Sequence, residues 1–148
     1  MATQIQHYYC KLIMFKKIYI AIDESDFSKQ ALTAAIKIAQ TFNTTLCIGH
    51  CISEEAQSSL EEGHTVLENA KSQIENLGVE TKLLLADTQY GLSGISDAIA
   101  TSATEWGADL LIVGTSNRKG LDRFFTGSVA EELVKKVDCS IMLVRSHN

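Results

Sequence analysis

Gly114 closes the apolar run Leu110-Leu111-Ile112-Val113 and opens Gly114-Thr115-Ser116-Asn117; nine residues, Arg118 to Thr126, then precede Gly127-Ser128. A strand that ends in glycine, loops over and restarts as a helix at Gly-Ser can wrap the phosphates of a nucleotide. Glycine lets backbone approach a ligand where a Cβ would collide, and the first N–H groups of a helix point at an anion. Gly114, Gly127 and Ser128 are therefore candidate phosphate-binding positions, and the chemistry is binding rather than bond-breaking. Ser128 has a second reading, because Ser128-Val129-Ala130-Glu131 fits a capping box. The helix dipole there stabilises an anion by roughly 0.3–1 kcal/mol, while Glu131 and Glu132 bring competing negative charge. Arg118 and Lys119 are the cations best placed to face a triphosphate, against the alternative that they are only solvated. Asp23, at a strand end, can accept hydrogen bonds from ribose hydroxyls or cap a local turn with Ser25.

These residues need elements to position them. Lys17 to Asp23 reads as a central strand, followed by Ser25 or Asp26 as N-cap of a helix ending near Thr41, with Leu32, Ala35, Ile36 and Ala39 on its apolar face. Thr44 to Ile52 is a second strand. A helix from Leu60 to Leu77 follows, with Leu67, Ala70 and Ile74 inward and Gly78 as its stop. Val79 to Ala86 is the third strand, and Gly91 or Leu92 to Trp106 the third helix, closed by Gly107. Asp109 to Val113, a helix containing Val129 to Lys136, and a short strand Ser140 to Val144 complete a βαβαβαβαβ order. Such alternation implies an α/β fold: parallel strands, right-handed crossovers and helices on both faces. Ligands in such sheets bind outside the carboxyl ends of the strands.

Composition narrows the function. The 148 residues are 45% hydrophobic and 21% charged, enough apolar material for one domain with its own core. A net charge of −5 with no Lys/Arg cluster argues against nucleic acid, whose affinity comes from basic side chains releasing counterions. Lys16-Lys17 and Lys135-Lys136 read as solvated ends of elements. Cys10, Cys47, Cys51 and Cys139 form no Cys-x2-Cys pair, and Cys47 and Cys51 are too far apart along one strand to bridge, so the thiols read as reduced and buried. His7, His50, His64 and His147 are scattered, which gives no metal site, and Ser128 has no evident histidine base. His50 reads as a satisfied core histidine. Residues 1–13 read as a loose extension; their apolar stretch is short, carries Lys11 and lacks a cleavage site, so neither export nor membrane spanning is expected.

The spacing from Gly114 to Ser128 resembles the glycine signature of universal stress proteins, Gly-x2-Gly-x9-Gly-(Ser/Thr), with Asn117 in place of the second glycine. Ile20-Ala21-Ile22-Asp23-Glu24-Ser25, Gly49-His50-Cys51, Gly107-Ala108-Asp109-Leu110 and Gly127-Ser128-Val129-Ala130-Glu131 also resemble family segments, in order, so the domain spans 14–148. The resemblance implies a single doubly wound, Rossmann-like domain with a five-stranded parallel sheet of order 3-2-1-4-5, which makes strands one and four neighbours. It also implies an adenine site lined by Ala21 and Cys51, contacts to ribose or base at Asp23, and phosphate contacts around Gly114, Asn117, Arg118, Gly127, Ser128 and Val129. ATP, with or without Mg²⁺, is the implied ligand, and a cytoplasmic homodimer paired through Ile141-Met142-Leu143-Val144 the implied assembly. Asn117 tolerates the left-handed conformation glycine would supply; its side chain either hydrogen-bonds a phosphate or occupies its place.

The function expected is that of a nucleotide-binding stress sensor or regulator, not an enzyme. The nearest alternative is a nucleotide-free dimer acting through protein contacts, which Asn117 makes credible. A receiver domain would use Asp23-Glu24, Asp87 and Thr115 as an acidic Mg²⁺ pocket, but Arg145 stands where its lysine belongs. An adenylating enzyme would need a glycine-rich pyrophosphate loop after strand one, and Asp23-Glu24-Ser25-Asp26 lacks those glycines.

Overall fold

The computed structural model describes residues 15–53, 59–115 and 128–145. Within them the chain runs β1 (Lys17–Ile22), α1 (Asp26–Phe42), β2 (Thr45–Ser53), α2 (Ser59–Ser72), β3 (Val79–Ala86), a 3₁₀ turn (Thr88–Tyr90), α3 (Leu92–Trp106), β4 (Leu110–Thr115), α4 (Ser128–Lys136) and β5 (Ser140–Arg145). All strand pairs are parallel and the order is β3-β2-β1-β4-β5. The extension at 1–13 lies outside the described residues.

Alternation along the strands builds the two faces. Ile18, Ile20, Ile22, Leu46, Ile48, Leu110 and Ile112 pack under Ala31, Leu32, Ala35 and Ala39 of α1 and Leu67 and Ala70 of α2. On the other face Tyr19, Cys47, Leu111 and Val113 pack under Ile99, Ala100, Ala103 and Trp106 of α3 and Ala130 and Leu133 of α4. The doubly wound reading is thus met.

Helix ends follow their chemistry. Ser25 caps α1, its side chain accepting from Ser28 N. Gly107 sits at φ 80°, with Gly107 N–H donating to Thr104 O and Ala108 N–H to Ala103 O, so α3 stops in a left-handed cap. Asn43, at φ 52°, ends α1 in the same way. The one sizeable departure is α2, which stops at Ser72 rather than Leu77. Gln73 and Ile74 donate to carbonyls three residues back, and Asn76 turns left-handed at φ 59°, so the chain leaves the helix before Gly78. Ile74 still packs against the core.

Two of the lysines expected to be only solvated have specific partners. Lys17 lies over the Trp106 ring, 4.3 Å from its centroid, and donates to Trp106 O, because the amino-terminal ends of β1 and β4 meet there. Lys136 is held by carboxylates of α3 and α4, described below.

Candidate functional site

Beyond the carboxyl ends of β1 and β4 lies a cavity of about 390 Å³. In the ladder Ala21 stands between Gly49 of β2 and Val113 of β4, so its floor carries almost no side-chain bulk. Ile95 and Ile99 of α3 form one wall, Val129 and Ala130 of α4 another, and Asp23, Cys51 and Gly114 the rim. Gly49 is required from beneath: a Cβ there would come within 2.8 Å of Tyr19 Cε1. The Tyr19 ring is fully buried and its hydroxyl is hydrogen-bonded to Ser102 Oγ at 2.7 Å, so it has nowhere to go.

Five residues expected at a site converge here: Ala21, Asp23, Cys51, Gly114 and Val129. Asn117, Arg118 and Gly127 lie outside the described residues, as does the Ser128 side chain; α4 itself begins at Ser128. Ser28 and Phe27 also line the cavity and were not anticipated. Ser28 is 3% exposed, and its Oγ accepts from Asp23 N–H at 2.8 Å, which turns the chain out of β1. Its signal in the sequence was only a serine three places after an N-cap.

Gly114 has a packing reason beside the one expected. A Cβ on Gly114 would lie 2.6 Å from Phe27 O, so glycine here admits the backbone of α1. Asp23 realises the turn reading: Oδ1 accepts from Ser25 N–H at 2.7 Å and from the Ser25 hydroxyl. Among the described residues no hydrogen bond is made to its Oδ2. Glu132, expected to burden the start of α4 with charge, instead turns to Ser93 and Ser96 of α3.

Burial pushes the Cys51 thiol up to about 11 and that of Cys47 up to about 12, so both are neutral near pH 7. Cys47, Cys51 and Cys139 are free. His50 is buried; its Nδ1 donates to Ile22 O at 2.9 Å, as befits a core histidine. Among the described residues no three His, Cys, Asp or Glu side chains gather around a common point that would hold a metal, and no helix is long and apolar enough to cross a membrane.

Strand order removes the receiver reading. β2 separates β3 from β1, so Asp87 is two inter-strand spacings, roughly 9–10 Å, from the strand that carries Asp23. Asp87 lines a different hollow, with Lys82, Tyr90 and Asp97.

The sequence profile described as Universal stress protein family matches residues 14–145. The chain belongs to the universal stress protein family. A universal stress protein of Methanocaldococcus jannaschii is 31% identical over 147 residues, covering 89% of this chain and 83% of that protein. Universal stress protein YxiE of Bacillus subtilis is 30% identical over 153 residues, covering 89% and 100%. Among solved structures, a universal stress protein in complex with cAMP superimposes at TM-score 0.72 with 19% identity, over 90% of this chain and 99% of that one. One from Archaeoglobus fulgidus in complex with dAMP gives TM-score 0.67 and 22% identity, over 89% and 99%. These structural likenesses show the universal stress protein fold.

Proposed function

We propose that this universal stress protein binds an adenine nucleotide in the cavity at the carboxyl ends of β1 and β4, and serves as a cytoplasmic sensor or regulator rather than an enzyme. The observation that carries this reading is the convergence of Ala21, Asp23, Cys51, Gly114 and Val129 on one cavity. Small-molecule sites span about 300–1,000 Å³, so 390 Å³ suits a nucleoside, with phosphates leaving over the start of α4. The base would lie on Ala21 and Gly49 against Ile95 and Ile99; Asp23 Oδ2 would accept from ribose. The solved universal stress proteins in complex with cAMP and with dAMP support adenine as the base. ATP, with Mg²⁺ on its phosphates, is the form we propose for the cell.

The test is thermal unfolding of nucleotide-stripped protein with adenosine, AMP, ATP and ATP with Mg²⁺, beside GTP. Ligand at a hundredfold over Kd stabilises by about 2.7 kcal/mol, a shift of roughly 2–4 °C per kcal/mol at this size. Ala21→Leu, which fills the floor, should abolish the shift. If no adenine ligand shifts the wild type, the nucleotide-free, protein-contact reading replaces this one.

We further propose a homodimer through β5, an edge strand in the described sheet. Met142 and Val144 pack toward the core and Leu143 is 43% exposed, so Leu143→Glu tests pairing with less risk to the fold than a charge at Met142. An unchanged mass in solution for that variant would count against pairing there.

A further inference from the structure

Behind the cavity a polar cluster joins its two helical walls. Glu132 of α4 accepts from Ser93 Oγ of α3 at 3.0 Å through Oε1 and from Ser96 Oγ through Oε2. Lys136, one turn further along α4, lies 3.1 Å from Glu132 Oε2 and 2.7 Å from Asp97 Oδ1, and donates to Ser96 Oγ at 2.8 Å. Ser96 is fully buried, and its hydroxyl also lies 3.1 Å from Ser93 O of its own helix. The placement is close to the site. Ser96 is adjacent to Ile95 and three residues before Ile99, and Glu132 follows Val129 by three, so latch and cavity occupy neighbouring positions on the same two helices.

We propose that Glu132 is a positioning residue for the nucleotide site: by latching α4 to α3 it fixes where the first turn of α4 stands relative to the cavity. This inference rests on the nucleotide reading above. Apolar contact alone would hold the helices together, since Leu133 is fully buried against the sheet. Leu133, however, sets no direction, and α4 is only nine residues long. Hydrogen bonds are directional, and the two oxygens of one carboxylate on two serines one turn apart define both the axial position and the rotation of α4. The Ser96 hydroxyl, then Lys136 and Ser93, hold the Glu132 carboxyl below its ordinary value, and Asp97 foremost raises the Lys136 ammonium, so the latch stays ionised around neutral pH.

Because α4 would face the phosphate and α3 the base, the latch predicts an unequal effect on two ligands. Glu132→Ala should weaken AMP about tenfold, equivalent to about 1.4 kcal/mol, and adenosine less than about twofold on the same scale. Glu132→Gln, which keeps an oxygen for one serine, should recover part of the AMP affinity. Titration calorimetry of wild type and both variants reads this, with amide hydrogen exchange of Val129 to Leu133 measured without ligand. A general loss of stability would weaken both ligands alike, and an unchanged ratio of AMP to adenosine affinity overturns the proposal while leaving the site intact. If the wild type binds neither ligand, the nucleotide reading fails on its own; faster exchange at Val129 to Leu133 in Glu132→Ala then still supports the latch, and unchanged exchange overturns it.

Discussion

Two strand-end aspartates stand at opposite ends of the sheet and are treated differently. Asp109, before β4, has both oxygens occupied: Oδ1 accepts from Lys17 N–H at 3.0 Å and Oδ2 from Lys16 N–H at 2.8 Å. Asp23, after β1, has Oδ1 taken by Ser25 and Oδ2 free of described donors. Around Asp109 the end is closed by Lys17 over Trp106 and by Trp106 Nε1–H donating to Glu80 at 2.8 Å. Around Asp23 it opens into the cavity. The same residue type takes two donors at each end, and what separates them is their distribution: one on each oxygen of Asp109, both on a single oxygen of Asp23.

The largest effect should come from a residue that belongs to the open end by position and to the fold by packing. Gly114→Ala drives a Cβ into the backbone of Phe27, which cannot move without shifting α1. Overpacking of this kind should destabilise by about 3 kcal/mol, read by denaturant unfolding. A neutral result would mean that Gly114 is kept for a ligand after all, and would return it to the open end in both senses.

Next come the aspartates themselves. Asp109→Ala removes two charge-assisted bonds and should cost about 2 kcal/mol, with adenine-ligand affinity unchanged once the protein is folded. Asp23→Asn keeps an acceptor for Ser25, so stability should move by less than about 0.5 kcal/mol, while affinity for AMP falls about tenfold. Unfolding curves and calorimetry on the two variants separate the roles. Equal losses in both quantities for both variants would erase the distinction between the two ends.

Much of this contrast was legible in the residues, and the parts that were not have common causes. Strand and helix identities followed from period-two and period-3.6 patterning, and Gly107 announced the end of α3 because few other residues accept φ 80°. Asn76 signalled the early end of α2 in principle, but Gly78, two residues later, is the stronger breaker and drew the boundary to itself. The convergence of Ala21, Cys51 and Val129 could be expected through family resemblance alone, since each taken singly is an ordinary core type. The close approach of Phe27 to Gly114 was not legible, because local sequence does not say which backbone crosses a strand end. Glu132 and Lys136 were misread for a similar reason: their partners, Ser93, Ser96 and Asp97, are about forty residues away in sequence.

The smallest free-energy effect belongs to Cys51, which reports on the open end without holding it together. Its thiol lines the cavity yet is pushed up to about 11 by burial. The thiolate is the nucleophile, so at pH 8 alkylation should run about a hundredfold slower than at an ordinary thiol near 9, and should quicken roughly tenfold per pH unit up to 10. Mass spectrometry of the Cys51 peptide after timed iodoacetamide exposure gives the rate free of the other cysteines. The folded thiol keeps its proton between about 9 and 11 while the unfolded one loses it, so stability should also fall as pH rises through that window, with Cys47, pushed up to about 12, acting in the same sense. A bound adenine ligand should slow alkylation at every pH, because it excludes the reagent from the cavity. Fast alkylation at pH 8 that no ligand suppresses would mean that Cys51 faces water, and the floor between Ala21 and Gly49 would then be no place for a base.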